Sequence, residues 1–199
     1  HDDKYVVYVL GDGKNNKKDS IDIQFFKSEP ELLRAILKYW LEVKPTIITG
    51  WNINGFDIPY LYNRITKVLG EDFANALSPI QRVKYNPNKK VYRIAGVSSL
   101  DYLDLYKKFT YIQQSSYRLD HIGTIEVGLG KVEYEGTLDD LYKNDINKFI
   151  EYNLNDVKIV KALDDKLKLI DLVKGVSHLG RIPYEEVYFS SRYIEGAML

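Results

Sequence analysis

Apolar positions at the start of the chain come in short strand-like runs. Residues 4–10, KYVVYVL, read as a strand. Residues 11–20, GDGKNNKKDS, are polar and rich in turn formers. Residues 21–26, IDIQFF, return to strand character, so the two runs are predicted to pair as a hairpin. After Pro30 the period lengthens. Leu32, Leu33, Ile36, Leu37 and Trp40 fall on one side of a helix over residues 30–43. Thr46 to Trp51 then form a short β-branched apolar strand. Hairpin, helix and buried strand in that order predict an α/β sheet protein.

The same reading continues along the chain. Ile58, Leu61, Ile65 and Leu69 give a second helical period, with Pro59 in its first turn and Gly70 as its stop. Residues 80–94, IQRVKYNPNKKVYRI, predict a second hairpin turning at Asn86-Pro87-Asn88. Residues 97–109 run from a strand into a helix, and another helix begins within SYRLDHIG, residues 116–123. A Gly-rich turn region through residues 128–136 precedes a short helix at Leu138 to Tyr142. One long helical stretch is predicted from Asp145 to Lys174. No repeat, low-complexity segment or interdomain linker interrupts this pattern.

Composition narrows the class. The chain has 199 residues, 45% hydrophobic and 28% charged, which fits a globular domain with its own core. It has no cysteine, which excludes disulfides and thiolate metal sites. No apolar run approaches the roughly 20 residues that span a bilayer, and no signal-peptide pattern is present. Lys plus Arg and Asp plus Glu are both 28, so nucleic-acid binding would need local patches. The 17 tyrosines admit two readings, base-stacking platforms or the codon bias of an AT-rich genome; composition favours the second.

Three places carry candidate chemistry. In TGWNINGFDIPYLYNR, residues 49–64, Asp57 stands before a helix. Spacing alone reads it as an N-cap, and reads Asn52 as a turn residue. At the second hairpin, Arg82, Lys84, Lys89, Lys90 and Arg93 form the most basic stretch; it is either a phosphate-binding patch or a solvated face. Asp101 and Asp104 sit where a strand meets a helix, with capping favoured over a metal. In the long helix Tyr152 and Asp156 are one turn apart. Phe149, Ile159, Val160 and Leu163 share their face, and Ile150, Leu154 and Val157 make a second apolar face. A helix apolar on two sides is expected between layers, which would leave Asp156 needing a cation, a cap or a salt bridge.

Two of these segments, in this order, resemble a known pattern. Asn-x-x-x-Phe-Asp at 52–57 resembles the second exonuclease motif of family B DNA polymerases, and Tyr-x-x-x-Asp at 152–156 resembles the third. GWNINGFDIPYLYNR, SPIQRV, GVSSLDYLDLYKKF and EYNLNDV read like the polymerases of large tailed, T-even-like phages. The resemblance covers nearly the whole chain. It implies a ribonuclease H-like (DnaQ-type) 3′–5′ proofreading exonuclease fold, a mixed sheet flanked by helices, over 1–182. Residues 183–199 would then start the connection to a polymerase palm domain. It implies two-metal hydrolysis with Mg²⁺ or Mn²⁺, with Asp57 and Asp156 as ligands close together in one cleft and Tyr152 positioning water or phosphate. Asn52 and Phe56 would support the site and the frayed single-stranded 3′ end of the primer. The hairpin cations Arg82, Lys84, Lys89 and Lys90 would contact DNA. The implied partners are the primer, the remaining polymerase domains and a sliding clamp, in the cytoplasm of a host cell and without a membrane.

The chain departs from the family at one point. The first motif, Asp-x-Glu on the opening strand, has no counterpart in KYVVYVL. The chain is therefore expected to begin after that motif, to lack the first strand and to be inactive in isolation. The alternative is a non-catalytic DNA-binding or scaffolding module of a split or degenerate polymerase.

Overall fold

The structure is a computed structural model, and it describes residues 4–130, 132–133 and 136–198. The part of the expected Gly-rich turn region at 131, 134 and 135 lies outside the described residues. The chain is a mixed α/β protein with small sheets and many helices. It divides into two compact units. One comprises His1–Ile47 and Asn54–Val97, the other Ile48–Ile53 and Ser98–Leu199.

The first unit opens with strands β1 (Tyr5–Leu10), β2 (Asn16–Lys18) and β3 (Ile21–Phe26), ordered β1-β3-β2. β1 runs parallel to β3, with Tyr5 opposite Ile21 and Leu10 opposite Phe26. The expected hairpin between residues 4–10 and 21–26 is thus corrected: β2 is the antiparallel partner of β3. The polar loop is long enough to carry its own strand. Asp19 takes a left-handed φ of 52° in the two-residue turn from β2 to β3. Gly13 lies so close to Phe25 that a Cβ would meet its ring at 2.4 Å, and Asn15 Oδ1 accepts from the Phe25 amide at 2.8 Å. With that edge of β3 taken, β1 pairs on the other.

Helix α1 (Glu29–Val43) has Pro in its first turn, and Glu29 and Glu31 favour its positive end. Its apolar side buries Leu33 and Leu37, and it packs on β1 and β3. α2 (Asp57–Leu69) buries Ile58, Tyr62 and Ile65, and stops at Gly70, whose φ of 106° suits glycine. Arg64 on α2 forms a bidentate pair with Glu29 on α1, Nη2 to Oε2 at 2.6 Å. After α3 (Glu71–Asn75) come β5 (Val83–Asn86) and β6 (Val91–Ile94), an antiparallel hairpin. Its turn is held by Asn86 Oδ1, which accepts from the amides of Asn88 and Lys89.

In the second unit β4 (Ile47–Gly50, of which Ile48 onward belongs here) pairs with β7 (Ser98–Asp101). α4 (Tyr102–Phe109) follows directly and supplies the fully buried Tyr102, Leu105 and Tyr106. α5 (Leu119–Val127) packs on α7 (Ile146–Leu167) so closely that a Cβ on Gly123 would meet Ile159 at 2.6 Å. α6 (Leu138–Asn144) starts with a capping box between Thr137 and Asp140 and packs on the first turns of α7.

The long helix predicted for Asp145 to Lys174 is two helices. Lys168 takes φ 53° and ends α7, and α8 (Leu169–Gly180) begins at once. The break is stabilised by Asp164, whose carboxylate accepts from the Ile170 amide at 3.1 Å and the Tyr102 hydroxyl at 3.2 Å. The two-sided burial expected of this helix is also corrected. Ile150, Ile159 and Leu163 are buried, but Val157 is 56% exposed. A 3₁₀ turn at Tyr184–Glu186 and α9 (Ser190–Met198) complete the unit.

Candidate nuclease site

The second-motif segment starts where β4 ends. Thr49 Oγ1 donates to the Leu100 carbonyl at 2.7 Å, and Trp51 Nε1 donates to the Tyr117 carbonyl at 3.1 Å. The Trp51 ring lies beside Tyr102 and Tyr106. Asn52 then turns the chain with a left-handed φ of 60°, a conformation that Asn tolerates better than most residues. Its amide donates to the buried Asp101 carboxylate at 2.9 Å.

Asp57 is not an N-cap, contrary to the expectation from spacing. The helix begins at Asp57 itself; Phe56 holds the cap position, without a side-chain capping bond. The carboxylate still favours the positive helix end. Asp57 is an exposed residue, yet loss of hydration around its carboxyl raises its pKa, opposed by a hydrogen bond from its own backbone amide. Among the described residues it makes no ion pair. Phe56 and Tyr60, on either side of it in sequence, stack on each other as two parallel rings, 65% and 62% exposed, with centroids 6.2 Å apart and planes 9° apart.

The hairpin cations Arg82, Lys84, Lys89, Lys90 and Arg93 are all exposed. Lys84 and Arg93 are cross-strand partners. Like charges directly opposite each other repel unless an anion lies between them. Tyr92 packs on Tyr62 and Tyr85, and its hydroxyl donates to Asn63 on α2. This fixes the hairpin on the same unit as Asp57.

Tyr152 and Asp156 lie one turn apart on α7, both half-buried, in the second unit. The capping reading of Asp101 holds: its carboxylate accepts from the Leu103 amide at the start of α4. Sequence reasoning missed its second bond, to Asn52, because contacts across 49 residues leave no local signal. It also missed Tyr60. Its position four residues after Phe56 on a helix was the available clue.

Residues 5–122 match the family described as DNA polymerase family B, exonuclease domain. The chain belongs to that family. The match spans the second motif and the LDYLDLYKKF block and ends before Tyr152. The chain is 39% identical over 176 residues to the DNA-directed DNA polymerase of Escherichia phage RB69, covering 85% of this chain. It is 39% identical over 168 residues, 81% of this chain, to that of Enterobacteria phage T4. A DNA polymerase 1 of Sulfolobus acidocaldarius is 32% identical over 179 residues, 83% of this chain. The chain spans about a fifth of the length of these relatives: 20%, 19% and 19%.

The exonuclease-domain membership makes the metal question concrete. Among the described residues no group of three or more His, Cys, Asp or Glu side chains could hold a metal ion. Among the described residues no helix is long and apolar enough to cross a membrane.

Proposed function

We propose that this chain serves the 3′–5′ proofreading exonuclease activity of a DNA-directed DNA polymerase, on a ribonuclease H-like fold. The observation that carries this reading is the start of α2. There a carboxylate with a raised pKa lies in sequence between Phe56 and Tyr60, whose exposed rings stack on each other. An unpaired nucleobase stacks on such rings without sequence preference. A cation beside Asp57 would offset the cost of ionising its carboxyl.

In this reading Asp57 and Asp156 are metal ligands for Mg²⁺ or Mn²⁺, and Tyr152 orients a water or phosphate oxygen. Asn52, Phe56 and Tyr60 hold the single-stranded 3′ end of the primer. Arg82, Lys84, Lys89 and Lys90 hold phosphates. Two carboxylates make an incomplete cage, so the isolated chain binds metal weakly and hydrolyses DNA slowly or not at all. Residues 1–182 form the exonuclease part and 183–199 lead toward the palm. The remaining polymerase domains and a sliding clamp are its proposed partners, in the host cytoplasm.

The second reading is a non-catalytic DNA-binding or scaffolding module. Titration of the chain with fluorescent oligonucleotides, with and without Mn²⁺, tests both. The first reading expects binding of a single strand over blunt duplex, strengthened by Mn²⁺ in wild type but not in Asp57→Asn. Single-strand binding indifferent to Mn²⁺ and to Asp57→Asn would favour the second. Equal affinity for duplex and single strand would defeat the first reading.

A further inference from the structure

The LDYLDLYKKF block accompanies the second motif, and the geometry points to one reason: Asp101 is a positioning residue that clamps the second-motif turn. Asp101 is 2% exposed. A carboxylate that deep in the protein must be met by donors. One oxygen, Oδ1, accepts from two backbone amides: Leu103 at 3.1 Å, in the first turn of α4, and Asn52 at 2.9 Å, 49 residues back in the chain. The first bond is an ordinary helix cap. The second reaches Asn52, whose left-handed backbone turns the chain at the end of β4.

The neighbourhood leaves this turn little freedom. Thr49 and Trp51 are each bonded to carbonyls of Leu100 and Tyr117, on either side of α4. Gly50 approaches Ile53 so closely that a Cβ would lie 2.4 Å from its Cγ2. The chain thus leaves β4 through three anchored residues, Thr49, Trp51 and Asn52, and Asp101 holds the last. A left-handed Asn is strained unless its surroundings fix it. One short side chain serves the start of a helix and the turn that precedes the proposed DNA-binding rings.

Substitution separates the two bonds. Ser at 101 keeps a cap for α4 but is too short to reach the Asn52 amide as well. Asn at 101 keeps an acceptor oxygen for both. Amide hydrogen exchange by NMR on the 199-residue chain reads each bond directly. In Asp101→Ser, protection of the Asn52 amide falls about tenfold while that of Leu103 stays within about threefold. In Asp101→Asn both amides keep their protection. Unchanged exchange at Asn52 in Asp101→Ser overturns the clamp, as does equal loss at both amides. The functional half rests on the DNA-acting role proposed above. Single-strand affinity should fall several-fold in Asp101→Ser with the salt slope unchanged, and recover in Asp101→Asn. Wild type failing to bind single strands defeats the proposed function, and the exchange result still decides the clamp.

Discussion

Helices α2 and α4 each begin beside an aspartate, and these two aspartates are treated in opposite ways. Asp101, at the start of α4, is buried and meets backbone donors from a helix and from a distant turn. Asp57, at the start of α2, is exposed, and loss of hydration raises its pKa against a hydrogen bond from its own backbone amide. The same contrast extends to their neighbours. Around α4 the polar groups are matched: Tyr106 donates to Glu126, and Lys166 pairs with Glu126 at 2.9 Å. The Lys166 and Tyr106 bonds hold the Glu126 carboxyl below its ordinary range, and burial pushes the Tyr106 hydroxyl up to about 12. Near Asp57 in sequence, Phe56 and Tyr60 leave two stacked rings exposed. Saturated polar groups stabilise a fold, whereas a carboxylate with a raised pKa costs stability when ionised, and such groups cluster at functional sites.

The largest expected effect lies on the saturated side. Asp101→Leu removes the acceptor for two amides and leaves that of Asn52 unmet. Urea unfolding should show a loss of about 2–4 kcal/mol, summing a lost cap and an unsatisfied donor. A loss within about 0.5 kcal/mol, the usual range of surface changes, would erase the contrast.

On the open side the same size of change should appear in binding rather than stability. Ala at Phe56 or Tyr60 should weaken single-strand affinity by about 1–3 kcal/mol per stacked base and leave the urea midpoint nearly unmoved. Loss of stability without loss of affinity would mean that the rings pack the fold instead. A smaller effect is expected at the hairpin. Neutralising Lys84, Lys89 and Lys90 together should reduce the slope of log affinity against log salt by about 2, since each single-strand phosphate that a cation neutralises adds about 0.7 to it. An unchanged slope would reassign the hairpin to a solvated face.

The smallest effect is the most specific, because its sign differs between the two regions. Asp57 has a raised folded pKa, so its ionised form costs stability, and that cost grows as pH rises above the ordinary carboxylate value. Asp57→Asn should therefore be slightly more stable than wild type at pH 7, with the gain vanishing in acid. Glu126 has a lowered folded pKa, so its carboxylate contributes stability above the unfolded value and loses it as pH falls through the folded one. Glu126→Gln should be less stable than wild type at pH 7, with the deficit shrinking in acid. Urea melts of both variants at several pH values check the pair; a common sign would contradict the comparison.

Much of this fold was legible in the sequence, because period and stop signals are local. The α1 and α2 faces, the β5–β6 hairpin and the strand-to-helix step at Asp101 all follow from spacing and turn residues. Three errors share a cause. The three-residue β2 sits inside a polar loop and carries no apolar signal. Lys168 breaks a helix without being Gly or Pro, since Asp164 and Tyr102 stabilise the break from a distance. Asp57 looks like a cap until coordinates show the helix beginning one residue earlier than a cap would allow. The candidate site was legible chiefly through motif resemblance. Spacing alone favoured plain structural roles for Asn52 and Asp57 and left Asp156 undecided. The Asp101–Asn52 bond was beyond reach, because it depends on tertiary pairing of β4 with β7.

The central claim is that the start of α2 is an open ligand site and the start of α4 a closed structural one. Titration with Mn²⁺, followed by paramagnetic broadening of backbone amide signals, tests it most directly. The account predicts broadening at sub-stoichiometric Mn²⁺ that is strongest around Asp57 and abolished by Asp57→Asn. Broadening centred on Asp101, or broadening around Asp57 that survives Asp57→Asn, would contradict it.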